Sequence, residues 1–297
     1  MSKFTFIASE EDAGRPIKDI LRKEFVFSRR LRTKLKQQPE LIRLNGGLAE
    51  GWFPVHAGDK ITVHFPSEQS QFEPENIPLD ILFEDEDFIL LNKQPGIVCH
   101  PTKGHPSHTL SNGIQFYMEQ TGQTFKIRFI SRLDMDTSGI LAVAKNSHGQ
   151  DNLIRQMAEK KVVKKYLAVV QGTMTQSKGT IQLPIGQPDP EKVQRGVVED
   201  GADSITHYEV LECYGSGYSL LELILGTGRT HQIRVHLSHI GHPIVGDHLY
   251  GTESPLLISR QALHASSLSF THPMKGTWME VNAPLPRDMV ELLQKLK

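Results

Sequence analysis

The sequence predicts an α+β protein in which a small basic unit precedes a larger domain built on a mixed, mostly antiparallel sheet. Segments with a strand pattern outnumber those with a helical one, so helices are expected to pack on a sheet. From Gly14 to Phe65 there are 11 Lys and Arg against 5 Asp and Glu, whereas residues 66–88 hold 8 acids and no base. The 297 residues are enough for one small and one large core.

The apolar pattern of the basic segment predicts two helices. The apolar residues of the first recur at helical spacing and are Ile17, Ile20, Leu21 and Phe25. Ser28 is a candidate N-cap for a second helix that turns Leu31 and Leu35 inward. The outer face of that helix carries five cations: Arg29, Arg30, Arg32, Lys34 and Lys36. Such a run matches a phosphate-contacting surface, although it is also typical of a solvated face.

A β-hairpin is expected after the two helices. Residues 41–44 and 60–65 have strand patterns, and Asn45-Gly46-Gly47 is a turn sequence between them. We therefore expect a helix-helix-hairpin unit over residues 1–66. An acidic linker over 67–80 and a larger domain over 81–297 follow, because the composition changes sharply near Pro66.

The larger domain is expected to be rich in strands. The predicted strands cover residues 81–91, 139–144, 165–170 and 219–225. Residues 150–160 predict an amphipathic helix with Leu153, Ile154 and Met157 facing inward.

Composition narrows the class of protein. The chain has no 18-residue apolar run and no leader-like start, which argues against a membrane span and predicts a cytoplasmic location. Cys99 and Cys213 are too few for a disulfide framework. The formal net charge of −1 would argue against a nucleic-acid partner, but the basic segment shows that the charge is unevenly distributed.

Several common catalytic patterns are missing from the sequence. It contains no GxGxxG opening a helix, no GxxxxGK[ST], no HExxH and no GxSxG. Five histidines between residues 231 and 248 have no recognised ligand spacing with a carboxylate or cysteine. We therefore expect neither a nucleotide cofactor nor a metal.

Two polar clusters remain as candidates for chemistry. Residues 131–139 place Asp134 and Asp136 just before an apolar strand, where a rigid element can position a carboxylate, although on residue type alone a turn or cap role is the commoner one. Residues 226–237 combine glycines, two arginines and polar donors near a helix start. Such a segment suits an anionic ligand or a carboxylate that must stay ionised.

The motif Arg132-Leu133-Asp134 with Thr137-Ser138-Gly139 resembles that of the RluA family of pseudouridine synthases. The similarity extends in order from residue 81 to the C-terminus. The further matching motifs are residues 91–93, 95–96, 100–101, 165–168, 183–186, 228–236, 241–247, 250–251, 263–265 and 272–273. The basic unit resembles the small RNA-binding domain of ribosomal-protein-S4 type, a frequent companion of this family. The resemblance implies an RNA partner, more likely ribosomal than transfer RNA, and a cofactor-free isomerase that acts as a monomer.

The resemblance also implies roles for single residues. Asp134 corresponds to the essential aspartate, Tyr166 to the tyrosine that stacks on the target base, and Arg234 to the arginine that pairs with the aspartate. Arg132 corresponds to the residue that fills the gap left by the extruded base, which would offset part of the cost of flipping. The substrate contacts are expected from Arg229, His231, Gln232 and the five cations of the second helix. Whether the aspartate attacks the sugar, attacks the base or assists elimination stays open.

Two positions depart from the family pattern, and other functions remain possible. Ser131 stands where histidine is common, and Ser204 where alanine is common. A transfer-RNA enzyme and a non-catalytic RNA-binding assembly factor are the alternatives to a ribosomal RNA modifier. A glycoside or nucleoside hydrolase using Asp134 with Asp136 is less consistent, because residues two apart cannot easily flank one bond.

Overall fold

The computed structural model describes residues 3–23, 27–65 and 68–297. Phe25 of the predicted first helix and the boundary at Pro66 lie outside the described residues. Among the described helices, none has the length and apolarity needed to cross a membrane.

The N-terminal part is a four-stranded antiparallel sheet with two helices. Its elements are β1 (Lys3–Ile7), α1 (Ile17–Lys23), α2 (Arg29–Gln37), β2 (Ile42–Leu44), β3 (Gly47–Leu48) and β4 (Lys60–His64), in the sheet order β1-β4-β2-β3. Ser28 caps α2 as expected, since its hydroxyl accepts from the Leu31 N–H at 3.3 Å. Leu31 and Leu35 are buried in a core with Ile17 and Ile20. Strand β1, which is short and half-buried, was not predicted.

The larger part is a ten-stranded sheet covered by helices. Its elements are β5 (Ile81–Glu84), β6 (Phe88–Lys93), α3 (Leu110–Thr121), β7 (Arg128–Phe129), β8 (Ser138–Ala144), α4 (Ser147–Ala158), β9 (Val163–Gln171), β10 (Lys178–Gln182), β11 (Ile185–Gly186), β12 (Gly196–Val197), β13 (Ile205–Tyr214), β14 (Tyr218–Leu225), α5 (Gln232–His239), β15 (Leu263–Thr271), β16 (Trp278–Asn282) and α6 (Arg287–Leu296). The main order is β10-β13-β14-β9-β15-β8-β6-β5, with β16 on β15 and β7 on β8, and β11 and β12 form a separate two-stranded sheet. Strands β8 and β15 are parallel and the other described pairs are antiparallel, which confirms the predicted fold class.

Two local predictions for this part are wrong. Residues 81–91 form a hairpin and not one strand, because the Asp85 carboxylate accepts the N–H groups of Asp87 and Phe88 and turns the chain. Helix α4 begins at Ser147, and its cap Asn146 accepts the Gly149 N–H at 2.8 Å. The inward face is set by Leu153, so Ile154, one residue further around the helix, is 47% exposed.

The basic unit contacts the larger part through helix α4. The His148 ring of α4 is buried against Phe27 and Phe65, with centroid distances of 4.8 and 5.8 Å. Glu68 in the segment before β5 forms ion pairs with both Lys34 of α2 and Arg128 of β7. The aromatic contact thus joins the basic unit to α4, and the ion pairs of Glu68 join α2 to β7.

Candidate active site

Asp134 lies in the loop between β7 and β8, which is held by a buried lysine. The Lys93 ammonium, 1% exposed, donates to the carbonyls of Met135 at 2.7 Å and Thr137 at 2.9 Å. Burial lowers the pKa of Lys93 to about 8. Arg260 donates to the Asp136 carbonyl at 2.9 Å from the other side. Two cations therefore anchor the loop backbone directly after Asp134.

Gly139 determines how closely this loop approaches β15. Its φ of 108° lies in the region that favours glycine, and a Cβ there would lie 2.2 Å from the Ala265 carbonyl oxygen. The glycine lets β8 run against β15 immediately after the loop. Asp134 is thus brought to the centre of the sheet, beside β9 and α5.

Arg234 joins Asp134 to a second, fully buried carboxylate. Its Nη1 donates to Asp134 Oδ2 at 3.1 Å, while Nε and Nη2 donate to the two Asp247 oxygens at 2.7 and 2.8 Å. Asp247 is 0% exposed and also accepts the N–H groups of Leu249 and Tyr250. Burial alone would raise the pKa of Asp247, but the hydrogen bonds and charge of Arg234 outweigh it and lower that pKa. The expected pair of Arg234 and Asp134 is therefore present, and Asp247 is a supporting residue that the sequence reasoning missed.

The two oxygens of Asp134 have different surroundings. Oδ2 accepts from Arg234 and lies 3.9 Å from Nε2 of His231. Among the described residues, Oδ1 has no hydrogen bond or ion pair. Because the side chain is only half-buried, Oδ1 is the oxygen that an incoming substrate can reach.

Tyr166 lies on β9, next to the loop that carries Asp134. It is 8% exposed and is paired across the sheet with Leu223 and Ala265. Burial, followed by the nearby charge of Asp134, raises the pKa of Tyr166, so the phenol is neutral. The structure therefore brings together Asp134, Tyr166 and Arg234, the three residues expected to form the candidate active centre.

Gln232 begins α5 and holds the preceding loop. Its Oε1 accepts from the Thr227 hydroxyl at 2.7 Å and from the Arg229 N–H at 3.0 Å. Its Nε2 donates to the Ile205 carbonyl and the Thr206 hydroxyl at 2.9 and 3.1 Å. The amide is 2% exposed and fully used by protein partners, which leaves it no atom for the expected substrate contact.

Arg132 and Arg229 also lie near Asp134 but, unlike Arg234, they are exposed. Arg132 is exposed beside the buried Leu133, directly before Asp134. Arg229 is also exposed, and its Nε donates to the Asp203 carbonyl at 3.2 Å. Both side chains can therefore meet a ligand that covers the centre.

The five cations of α2 differ in their exposure and in their protein partners. Arg29, Arg30 and Lys36 are exposed, as expected for an outer face. Arg32 is half-buried and donates to the Phe27 carbonyl at 3.1 Å. Lys34 is half-buried and ion-paired with Glu68. Three of the five side chains are therefore exposed to solvent.

Lys164 is a further cation that the sequence reasoning overlooked. It lies two residues before Tyr166 on β9 and, with Tyr166 and Ser131, lines a small cavity. Its Nζ would lie 3.6 Å from a Cβ at Gly228, in the loop before α5. Within the described part of the chain it makes no hydrogen bond or ion pair, and burial lowers its pKa.

A cluster with metal-ligand residue types lies away from this centre. Asp85, Asp87 and His272 have potential ligand atoms within 4.8 Å of one another. These atoms already have protein partners, since His272 and Lys275 each contact Asp85 at 2.8 Å and Asn146 donates to Asp87 at 2.7 Å. The cluster therefore joins the β5–β6 turn to the end of β15.

Comparisons with known proteins point to one family. Residues 87–239 match the family model described as RNA pseudouridylate synthase. The chain is 37% identical to the uncharacterized RNA pseudouridine synthase YlyB of Bacillus subtilis, over 100% of this chain and 99% of that protein. It is 38% identical to ribosomal large subunit pseudouridine synthase D of Haemophilus ducreyi, over 90% of this chain and 86% of that protein. Human RNA pseudouridylate synthase domain containing 1 is similar in structure, with a TM-score of 0.58, 29% identity and coverage of 76% and 97%.

Proposed function

Because this chain belongs to the RNA pseudouridylate synthase family, we propose that it converts particular uridines of large-subunit ribosomal RNA to pseudouridine. The chain is an RNA pseudouridine synthase, an isomerase, and the resemblance to the RluA family is confirmed. Ribosomal RNA as the target is supported by the relatives named as large-subunit enzymes, at 35–38% identity over most of their length.

The arrangement around Asp134 is the observation that carries the proposed chemistry. One carboxylate oxygen is held by Arg234, the other is unpaired among the described residues, and Tyr166 lies beside it. In the reaction the bond from the ribose carbon to N1 of uracil breaks and a bond to C5 forms. The C5 hydrogen leaves and N1 gains a proton, so no oxidant or reductant is needed. Asp134 Oδ1 is the group we assign to the bond-breaking step.

The target base must leave the RNA stack before this bond can be reached. We assign Arg132, exposed beside Asp134, to the gap in the stack. We assign Tyr166 to the face of the extruded uracil, because an aromatic ring offsets part of the lost stacking. Arg229 and His231 are assigned to contacts with the same nucleotide, whereas Gln232 is assigned to holding the loop.

The remaining cations are assigned to the RNA backbone. Exposed Arg29, Arg30 and Lys36 on α2 are suited to phosphates at a distance from the centre. Lys164 is suited to a phosphate near the target nucleotide, since an unpaired, partly desolvated ammonium gains most from an anion. Arg32 and Lys34, with protein partners of their own, are assigned to the attachment of α2.

We further propose that residues 1–66 form an RNA-binding domain and 81–297 the catalytic domain, joined by the linker over 67–80. The separate hydrophobic cores on the two sides of the linker support this division. A monomer acting in the cytoplasm completes the proposal. Sedimentation or light scattering of the purified protein tests the monomer, and a concentration-dependent dimer would contradict it.

Mapping of pseudouridines in total RNA, from cells with and without this gene product, tests the proposed target. We expect one or a few uridines of large-subunit ribosomal RNA to lose modification. Loss confined to transfer RNA would contradict the assigned target. An unchanged map would favour an assembly factor without turnover.

A further inference from the structure

The hydroxyl of Tyr250 contacts one of the two ring nitrogens of His231. The Tyr250 hydroxyl oxygen accepts the backbone N–H of Arg195 at 2.7 Å and lies 2.8 Å from His231 Nδ1. A phenol has one proton to donate. With one lone pair engaged by Arg195, the hydroxyl can direct that proton to Nδ1.

The surroundings of the other ring nitrogen of His231 distinguish between the two tautomers. Nε2 lies 3.9 Å from Asp134 Oδ2, too far for a hydrogen bond but close enough for a strong electrostatic effect. If Nδ1 carried the proton, the Nε2 lone pair would point toward a carboxylate oxygen and the Tyr250 proton would have no acceptor among the described residues. If Tyr250 donates to Nδ1, the Tyr250 proton has an acceptor and Nε2 carries the proton, so an N–H and not a lone pair faces Asp134 Oδ2.

We propose that Tyr250, through His231, positions Asp134 for the reaction. Tyr250 holds His231 in the Nε2–H tautomer, which presents a donor to Oδ2 beside Arg234 and leaves Oδ1 for the substrate. Tyr250 and His231 are thus positioning residues for the chemistry, and this role rests on the proposed function of Asp134. His231 thus has a second proposed role, in addition to contact with the substrate.

The backbone and the packing support this role. His231 has φ 57°, in the left-handed region, which is uncommon for a residue other than glycine and turns its ring back toward the loop of Asp134. The Tyr250 ring lies with its centroid 5.1 Å from the Arg234 guanidinium. One aromatic side chain therefore contacts both groups that flank Oδ2.

A double-mutant cycle tests the proposal. Tyr250→Phe keeps the ring over Arg234 and removes the proton that selects the tautomer, so we expect kcat to fall about tenfold with KM for RNA unchanged. His231→Gln supplies an amide N–H that has no alternative tautomer. In that background Tyr250→Phe should have no further effect on kcat. Equal falls in both backgrounds, or a change in KM alone, would overturn the proposal.

Nitrogen NMR of histidine-labelled protein measures the tautomer directly, with His231→Gln identifying the signal. We expect a single Nε2–H form in the wild type and a mixture in Tyr250→Phe. An Nδ1–H form in the wild type contradicts the proposal even if the enzyme is active. Failure of the wild type to form pseudouridine would instead contradict the proposed function, whatever the tautomer.

Discussion

Helix α2 and the Asp134 centre both use charge, but in opposite surroundings. On α2, Arg29, Arg30 and Lys36 are exposed and surrounded by solvent. At the centre, Arg234 is 4% exposed and Asp247 0%, and their charges are satisfied by each other and by backbone donors. Exposed charges are screened by salt and contribute to encounter and register, whereas buried ones orient a reacting group. The difference predicts that binding and chemistry can be impaired separately.

Removal of the reactive carboxylate gives the largest expected effect. Asp134→Asn should abolish tritium release from RNA labelled at C5 of uridine, while folding and RNA affinity stay close to wild type. Arg234 keeps its two hydrogen bonds to Asp247 in this variant, so the site should not collapse. Asp136→Asn is the matched control and should be much milder, because it is the Asp136 backbone that Arg260 holds. Turnover by Asp134→Asn above background contradicts its assignment.

Removal of the buried partner should impair both chemistry and stability. Asp247→Asn leaves the Arg234 charge without its buried counterion, and loss of one member of such a pair costs about 3 to 5 kcal/mol. In the wild type the lowered pKa of Asp247 makes this contribution complete above pH of about 4, and it is lost as pH falls through the folded-state pKa. Chemical denaturation at several pH values should therefore show a smaller loss of stability on acidification in Asp247→Asn. Equal pH dependence in the two proteins would count against the ion pair.

Replacing the three exposed cations of α2 with neutral residues should weaken RNA binding and leave the chemistry unchanged. The triple variant Arg29→Gln, Arg30→Gln, Lys36→Gln is expected to flatten the plot of log affinity against log salt by about 2 to 3 in slope. Its kcat at saturating RNA should stay unchanged. Lys34→Gln is the control within the same helix and should leave the slope unaltered, since Lys34 is paired with Glu68. Substitution is preferable to deletion of residues 1–66, because deletion would uncover the aromatic contacts of His148.

Lys164→Gln should give the smallest effect. Lys164 has no protein partner among the described residues, like the exposed cations of α2, but it is partly buried and lies near Tyr166. If it contacts a single phosphate, Lys164→Gln should reduce the salt slope by about 0.7 to 0.9. Lys178→Gln provides a control, since Lys178 is an exposed lysine paired with Glu209 at 2.9 Å. Filter binding at four or more salt concentrations measures both. Equal slopes for the wild type and Lys164→Gln would exclude a phosphate contact there.

The sequence was most informative where a local rule applies. Ser28 and the spacing of Leu31 and Leu35 were enough for α2, because capping and helical period depend on neighbours in the chain. Asp134 and Arg234 came from ordered motifs of the resembled family, although they are 100 residues apart and no local pattern connects them.

The sequence was least informative where function depends on contacts between distant segments. Tyr250 belongs to one of the matching motifs, but nothing in the sequence places its hydroxyl 2.8 Å from His231. Lys164 and Lys165 are neighbours in the sequence and are both half-buried, but Lys165 pairs with Glu222 at 3.1 Å, whereas Lys164 has no such partner among the described residues. Gln232 was expected to meet substrate because it is polar, whereas its amide is used inside the protein.

The separation of binding from chemistry is tested most directly on one RNA with two variants. Affinity by filter binding and tritium release at saturating RNA are measured for Asp134→Asn and for the triple variant of α2. We expect Asp134→Asn to bind like the wild type without turnover, and the triple variant to bind weakly, with a flatter salt slope and wild-type kcat. Loss of both properties in either variant, or turnover by Asp134→Asn, would contradict the division of roles between the two regions.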